Sequence, residues 1–425
     1  MITSPAFRGK RYALLGLARS GLATLRALVA SGADVTVWDS REEARAMAGE
    51  GVRIADPLSI DLAGFDGVIV SPGVPINRHP IAEHARQADV PLIGDIELFA
   101  LARSGLPTHQ VVGITGTNGK STTTALIHHL LVSAGRCATL GGNIGLPILG
   151  QQPLAEGGIY VLELSSYQID LTYSLDCDIA VLTNITPDHL DRYDGFADYA
   201  AAKERLFTLQ HVDKLAVIAT EDDRCRMIAS RINHRLKRVS SRDVIDQSRW
   251  PSLQGPHNAQ NIACAIAVAK ALGLDEAQIE AGLASYPGLA HRMERVRELN
   301  GVLYVNDSKA TNPTSTAPAL AAFPSVHWIL GGMAKTDELD VCIPHFDHVR
   351  QAYAIGDAGP LFVRLLSPHM EVEDCGTLEA AVRAAAGNAK AGDTVLLSPA
   401  CASFDQFRDF EARGDAYRTF VEGLT

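Results

Sequence analysis

Short apolar runs alternate along this chain with helix-length amphipathic stretches, which restricts it to α/β architecture: parallel sheets covered by helices. The runs fall into three groups. The first has strands predicted at Tyr12–Leu15, Asp34–Trp38 and Gly67–Val70, with a helix over Gly21–Ala30 between the first two. The second has strands at Val111–Ile114, Tyr160–Leu164, Ile179–Thr183 and Leu215–Ile218, and the third at Val302–Val305, Val326–Leu330, Ala352–Ile355 and Thr394–Leu397. Turn formers gather at Ser104–Pro107 and Ser285–Gly288. A chain of 425 residues also exceeds what one hydrophobic core covers. Three domains are therefore expected, at 1–98, 99–288 and 289–425.

Charge narrows the partners. Lys plus Arg number 38 against 49 Asp plus Glu, a net charge of -11, which argues against nucleic acid or an anionic membrane as the main partner. A phosphate pocket remains possible, because it needs only local donors. The seven cysteines are scattered with no C-x-x-C pair, so reduced thiols are expected, with neither a disulfide framework nor a zinc site. Residues 1–11 lack the apolar core of a secretory signal. The uncharged run after Arg136 is broken by Gly141, Gly142, Asn143 and Pro147, so no membrane insertion is expected. The reading is a cytoplasmic protein.

The strongest local signal is Gly113-Ile114-Thr115-Gly116-Thr117-Asn118-Gly119-Lys120-Ser121-Thr122, which follows an apolar strand and opens a helix. Glycines let backbone N–H groups converge on phosphate oxygens, and the helix N-terminus adds partial positive charge. Lys120 would reach the β and γ phosphates and Ser121 a Mg²⁺ ion. Strict Walker spacing fails, because Ile114 stands where the first glycine belongs.

Glu163 lies inside a run otherwise fit for burial, and a buried carboxylate must be paired or bound to a cation. Asn184 and His189 fall in a polar loop where an α/β sheet presents ligand groups, although His189 alone reads equally as a hydrogen-bonded loop histidine. Lys203 reads locally as an ordinary surface lysine, and Asn258 as the N-cap of a following helix. In the first domain, Gly16-Leu17-Ala18-Arg19-Ser20-Gly21 sits where a dinucleotide fingerprint would, but Ala18 replaces the middle glycine. A dehydrogenase reading would rest on that broken motif alone.

Taken in order, the loop at 113–122, Glu163-Leu164-Ser165-Ser166, Thr183-Asn184-Ile185 with Asp188-His189-Leu190-Asp191, His257-Asn258 with Asn261, and His291-Arg292 resemble the Mur ligases of peptidoglycan synthesis. Folylpolyglutamate synthases share parts of this set. Asn306-Asp307-Ser308-Lys309-Ala310-Thr311-Asn312, Leu330-Gly331-Gly332 with Lys335, and Leu397 to Asp405 are similar to the glutamate-adding branch. The Asp-Asn-Pro-Arg motif of the diaminopimelate- or lysine-adding branch and the His-His-Pro run of the alanine-adding branch are missing.

The resemblance implies Rossmann-like outer domains around a central P-loop ATPase domain. It also implies ATP-dependent amide ligation, in which UDP-N-acetylmuramoyl-L-alanine is phosphorylated and the acyl phosphate is captured by the amine of D-glutamate. By the same resemblance Lys120, His189 and Lys203 are catalytic. Gly116, Thr117, Asn118, Gly119, Ser121, Thr122, Asn258, Asn261, Arg292 and Asp307 contact ATP. Ser20, Asp39, Ser40, Arg41 and Asn143 hold the UDP-sugar, and Lys309, Thr311, Lys335, Ser398 and Phe407 hold glutamate. Two Mg²⁺ sites, open also to Mn²⁺, fall on Ser121, Glu163, His189 and a carbamylated Lys203. Met333-Ala334 departs from the acid or glycine of many relatives beside Lys335. A monomer is expected. A nucleotide-binding scaffold without ligase activity is disfavoured, since a mere binder has no need of a second metal's ligands.

Overall fold

The computed structural model describes residues 1–188 and 192–425. It forms two compact units, Met1–Asp246 with Asn258–Ser285, and Gln247–His257 with Tyr286–Thr425. Among the described residues no helix is long and apolar enough to cross a membrane.

The first unit holds two parallel sheets. One contains β1 (Arg11–Leu15), β2 (Asp34–Trp38), β3 (Arg53–Ile54), β4 (Gly67–Val70) and β5 (Leu92–Ile93), in the order β3-β2-β1-β4-β5. The helix Arg19–Ala30 starts two residues before the predicted point, which brings Ser20 into its first turn. The other sheet contains β6 (His109–Thr115), β7 (Ala138–Gly142), β8 (Gly158–Glu163), β9 (Ile179–Leu182), β10 (Leu215–Ala219) and β11 (Arg235–Val239), ordered β11-β10-β9-β6-β8-β7. β8 ends at Glu163 and β9 at Leu182, each one residue short of the predicted end. One buried apolar cluster runs through both sheets, from Leu28 and Phe99 to Tyr160 and Leu206, and this shared core makes them a single unit.

The second unit holds β12 (Glu294–Leu299), β13 (Val302–Asn306), β14 (Val326–Gly331), β15 (Val349–Ile355), β16 (Val372–Gly376) and β17 (Thr394–Leu397), ordered β12-β13-β17-β14-β15-β16. Only β12 is antiparallel, and it turns into β13 through Asn300 and Gly301, both at positive φ. Successive residues feed opposite faces. Val305, Trp328 and Leu330 enter one core cluster, while Tyr304, Ile329 and Tyr353 enter the other. Trp328 is fully buried and donates its indole N–H to Ser398 O at 2.8 Å, so its truncation to alanine costs about 3–5 kcal/mol and frees the loop after β17.

In an open α/β sheet, ligands gather at the carboxyl ends of strands where the order reverses. Those points are β1 with β4, then β6 with β8 and β9, and β13 with β17 and β14. The phosphate loop, Glu163, Asp307 and Ser398 lie at the carboxyl ends of these strands.

Candidate active site

The phosphate loop begins where β6 ends. Gly116 and Gly119 have φ of +146° and +79°, and a Cβ there would collide with Thr183 Oγ1 and with Asn261 Oδ1 respectively. Only glycine fits both positions. Gly119 caps the helix Lys120–Ser133, whose first turn carries no acid to oppose an anion. The Lys120 ammonium donates to Gly116 O at 3.0 Å and Thr117 O at 2.7 Å, so it lies over the loop. Ser121 is buried in the first turn, Thr122 half-buried, and Asn118 exposed. The Thr117 hydroxyl is within 3.1 Å of both Thr186 O and the Tyr199 hydroxyl. Thr117 therefore shapes the loop from inside.

Glu163 stands beside this loop, since Ile114 and Glu163 are register partners. It is only 2% exposed. Its Oε1 accepts from Asn143 Nδ2 at 2.8 Å, and its Oε2 is buried with no hydrogen-bond partner among the described residues. An anionic oxygen left that way is costly, and a bound cation removes the cost. Asn143, expected on the UDP-sugar side, thus also holds the carboxylate, and its own N–H donates to Glu163 O at 2.9 Å.

Lys203 corrects its local reading. It is 1% exposed, because the helix Phe196–Thr208 turns that face inward beside Tyr199 and Phe207. Its ammonium sits 4.4 Å from the centre of the Tyr199 ring. Burial, then the nearby Lys120 charge, holds its pKa well below the usual lysine value against the pull of Asp188 and Asp170. Asp170 is itself raised by burial, opposed by the Tyr193 hydroxyl at 2.7 Å. His189 lies outside the described residues. Among the described residues no three His, Cys, Asp or Glu side chains converge on one point.

Asn258 is not an N-cap. It lies inside the helix Pro256–Ala271, buried, and accepts from Asn261 Nδ2 at 3.2 Å. Asn261 Oδ1 accepts in turn from Thr123 Oγ1 at 3.2 Å, which ties this helix to the one that follows the phosphate loop.

In the first sheet, Gly16 has φ of +97°, and a Cβ there would strike Ser71, whose Oγ donates to Gly16 O at 2.9 Å across the β1/β4 reversal. Asp39 is buried at the end of β2. Its carboxylate accepts from Leu17 N at 2.8 Å and from Arg41 N and Nε at 3.0 and 3.2 Å. Burial raises its pKa, but these donors outweigh burial and the net shift is down. Ser20 is half-buried, while Ser40 and Arg41 are exposed. Arg19 Nη2 donates to Gly145 O at 3.1 Å, joining this loop to the turn that carries Asn143.

In the second unit, Asp307 follows β13 and is buried. Burial pushes its carboxyl up to about 7, against the Ser398 hydroxyl, the Met293 amide and Arg292. Ser398 follows β17 and is 0% exposed, with its Oγ 2.9 Å from Asp307 Oδ2 and 3.1 Å from Thr316 Oγ1. These two, expected on different ligands, form one buried pair, and the Ser398 hydroxyl faces Asp307 here. Lys309 is half-buried with its ammonium 3.9 Å from the Phe410 ring centre. Thr311 and Arg292 are half-buried, Lys335 is exposed, and Phe407 leans on the core cluster behind β17. Met333 exchanges two backbone hydrogen bonds with Ala402, at 2.9 and 3.0 Å, and its side chain is exposed.

Sequence reasoning missed Arg413. Its guanidinium is 1% exposed and donates to Ser308 Oγ at 3.0 Å, Ser308 O at 2.8 Å, Cys401 O at 3.0 Å, and Gly331 O and Ala402 O at 3.3 Å. One buried cation thereby fixes the loops after β13, β14 and β17. Its signal was an arginine on the inward face of the last helix, which spacing alone does not separate from a surface residue.

Three family models match successive stretches of the chain. Residues 10–94 match the family described as Mur ligase MurD-like, N-terminal domain, residues 114–250 the Mur ligase middle domain, and residues 291–401 the Mur ligase glutamate ligase domain. The chain is 64% identical over 432 residues to the UDP-N-acetylmuramoylalanine–D-glutamate ligase of Sphingopyxis alaskensis, covering 100% of both chains. It is 63% identical over 429 residues to that of Novosphingobium aromaticivorans, covering 100% of this chain and 97% of the relative. Among solved structures, UDP-N-acetylmuramate-alanine ligase MurC from Thermotoga maritima superposes with a TM-score of 0.62 at 18% identity, over 97% of this chain and 99% of that one, and so shares the fold.

Proposed function

The chain belongs to the Mur ligase family, and from that premise we propose that it joins D-glutamate to UDP-N-acetylmuramoyl-L-alanine at the expense of ATP, as a monomer in cytoplasmic peptidoglycan precursor synthesis. Relatives of 56–64% identity that bear the name of this activity support the choice of substrates. The observation that carries the chemistry is Glu163, a carboxylate beside a phosphate loop with one oxygen buried and without a hydrogen-bond partner among the described residues.

Residues 1–98 take the UDP-sugar, 99–288 ATP, and 289–425 D-glutamate. A carboxylate is a poor electrophile, and its approach to a triphosphate sets two anions against each other. The γ-phosphoryl group passes to the substrate carboxylate, giving ADP and an acyl phosphate. The glutamate amine then attacks the acyl carbon, loses a proton, and phosphate departs from the tetrahedral intermediate. Lys120 and the helix N-terminus behind it offset charge on the phosphates, and the loop holds them in line. Lys309 and Lys335 supply cations for the two carboxylates of glutamate, with Thr311 as a hydroxyl donor.

The donors present fit Mg²⁺, a hard cation that takes oxygen ligands. Ser121 and Glu163 would hold one ion, and Glu163, His189 and carbamylated Lys203 a second; when bound, such ions screen the repulsion between phosphates and carboxylate. Carbamylation needs the neutral amine: the Lys203 nitrogen bonds to the carbon of CO₂ and releases a proton. Burial that lowers the lysine's pKa favours that form.

Phosphate release from ATP, measured with UDP-N-acetylmuramoyl-L-alanine and either D-glutamate, L-glutamate or no amino acid, tests the reading. Release that needs both the nucleotide-sugar and D-glutamate is expected. Release with L-glutamate instead would overturn the stereochemistry, and none in any combination would move the substrate to another branch or to a folate.

A further inference from the structure

We propose that Asn184 is the positioning residue of the phosphate loop, and that through Gln260 it couples the loop to the helix bearing Asn258 and Asn261. The inference rests on the reading of residues 116–122 as the ATP site. Asn184 stands just past β9, the strand that neighbours β6, and its side-chain amide grips the Asn118 peptide from both sides. Oδ1 accepts from Asn118 N at 2.8 Å, and Nδ2 donates to Asn118 O at 3.0 Å. Its backbone oxygen accepts from Thr117 N at 2.8 Å, and the neighbouring Thr183 Oγ1 adds a 2.7 Å bond to Asn118 O.

Two consequences follow for the loop. Its first N–H groups, at Thr117 and Asn118, are turned into the protein, so phosphate recognition passes to the helix N-terminus that follows. The turn is also set before any ligand arrives, which removes an ordering cost from binding. The grip needs a donor and an acceptor on one short side chain, a combination asparagine provides.

The second Nδ2 hydrogen reaches Gln260 Oε1 at 3.2 Å, and Gln260 Nε2 donates to Glu221 Oε2 at 2.7 Å. Gln260 shares its helix with Asn258 and Asn261. Asn261 in turn fills the space where a Gly119 side chain would lie, so the helix meets the phosphate loop at two points.

The test is ATP affinity by titration calorimetry on the full-length protein, together with KM for each of the three substrates and thermal melting. Asn184→Ala is expected to weaken ATP binding and raise its KM about tenfold, the effect of losing net hydrogen bonding of order 1.4 kcal/mol. KM for the other two substrates and the melting temperature should stay close to the parent values. Gln260→Ala should shift ATP affinity in the same direction by less, and the double variant should be no worse than Asn184→Ala alone. Unchanged ATP affinity in Asn184→Ala overturns the proposal, as does an equal rise of all three KM values with a fallen melting temperature. If Asn184→Ala does not fold, unchanged ATP affinity in Gln260→Ala overturns the coupling. Failure of the parent protein to bind ATP would instead remove the ATP reading, and the inference with it.

Discussion

The Glu163 carboxylate is held at one oxygen by the Asn143 amide, 2.8 Å away, while its other oxygen is buried with no hydrogen-bond partner among the described residues. A group built only for stability would not be left so. Glu163→Gln keeps the shape and removes the charge. It is expected to lower ligation at least 100-fold while leaving the melting temperature equal to the parent or higher, because an incompletely paired buried charge is gone. A variant that retains activity, or melts well below the parent, would remove Glu163 from the cation site.

Lys203 makes the opposite electrostatic statement, a buried amine whose folded pKa lies below its unfolded one. Between those two values the unfolded chain binds more protons, so stability rises with pH across that window. In CO₂-free buffer, Lys203→Met should therefore raise the melting temperature at pH 7, with the gain shrinking toward pH 10, and should abolish ligation. A melting profile parallel to the parent at every pH would contradict the buried amine. Intact-mass measurement under CO₂, showing one added CO₂ in the parent and none in the variant, checks the carbamate separately.

The interior of each sheet was legible in the sequence, and its margins were not. Runs such as Gly67–Val70 and Thr394–Leu397 are buried throughout, and apolarity alone locates them. The strands that escaped are the two outer ones of each sheet: β3 and β5, β7 and β11, β12 and β16. An edge strand pairs on one side only; β11, β12 and β16 carry charge where they meet water, as in Arg235–Val239 and Glu294–Leu299, while β3 and β5 are two residues long and β7 ends in Gly141-Gly142. Such segments look like loops to a hydrophobicity reading. The Asn300-Gly301 turn was the local sign of β12, but the strand before it, Glu294–Leu299, carries four charged residues. In the site, the glycine loop declared itself because its backbone needs specific residues. Lys203 and Arg413 did not, because burial of a cation is decided by what packs over it from distant parts of the chain.

Asp95 offers a test outside the expected site residues. It opens the helix Asp95–Ala102, is buried, and has its Oδ1 without a hydrogen-bond partner among the described residues. Burial raises its pKa from 3.8 to about 6, against hydrogen bonds from Gln168 and the Ile96 amide. The folded state thus holds the proton more tightly. The favourable contribution is complete below the unfolded value and is lost as pH rises through 6, leaving a cost of about 3 kcal/mol at pH 7. Asp95→Asn should raise the melting temperature by several degrees at pH 7.5 and by little at pH 4. An equal gain at both values would show that the carboxyl's ionisation has no part in it.

Arg413 predicts how the second unit responds to a change in its interior. Its acceptors are carbonyl oxygens and the Ser308 hydroxyl, on three loops that carry or flank Asp307, Lys309, Lys335 and Ser398. Burial lowers its pKa to about 10, so it stays charged at neutral pH, and its planar fork reaches acceptors that a single ammonium cannot span. Arg413→Ala leaves those carbonyls unsatisfied and a cavity behind them, and should cost about 3–5 kcal/mol of stability. Arg413→Lys is the more informative variant. It keeps a charge in place but loses part of the fork, so the loops should loosen without unfolding. KM for D-glutamate is expected to rise about tenfold while KM for ATP stays within twofold, read by phosphate release at saturating nucleotide-sugar. A rise in KM for ATP alone would show that Arg413 does not act through the loops after β13, β14 and β17.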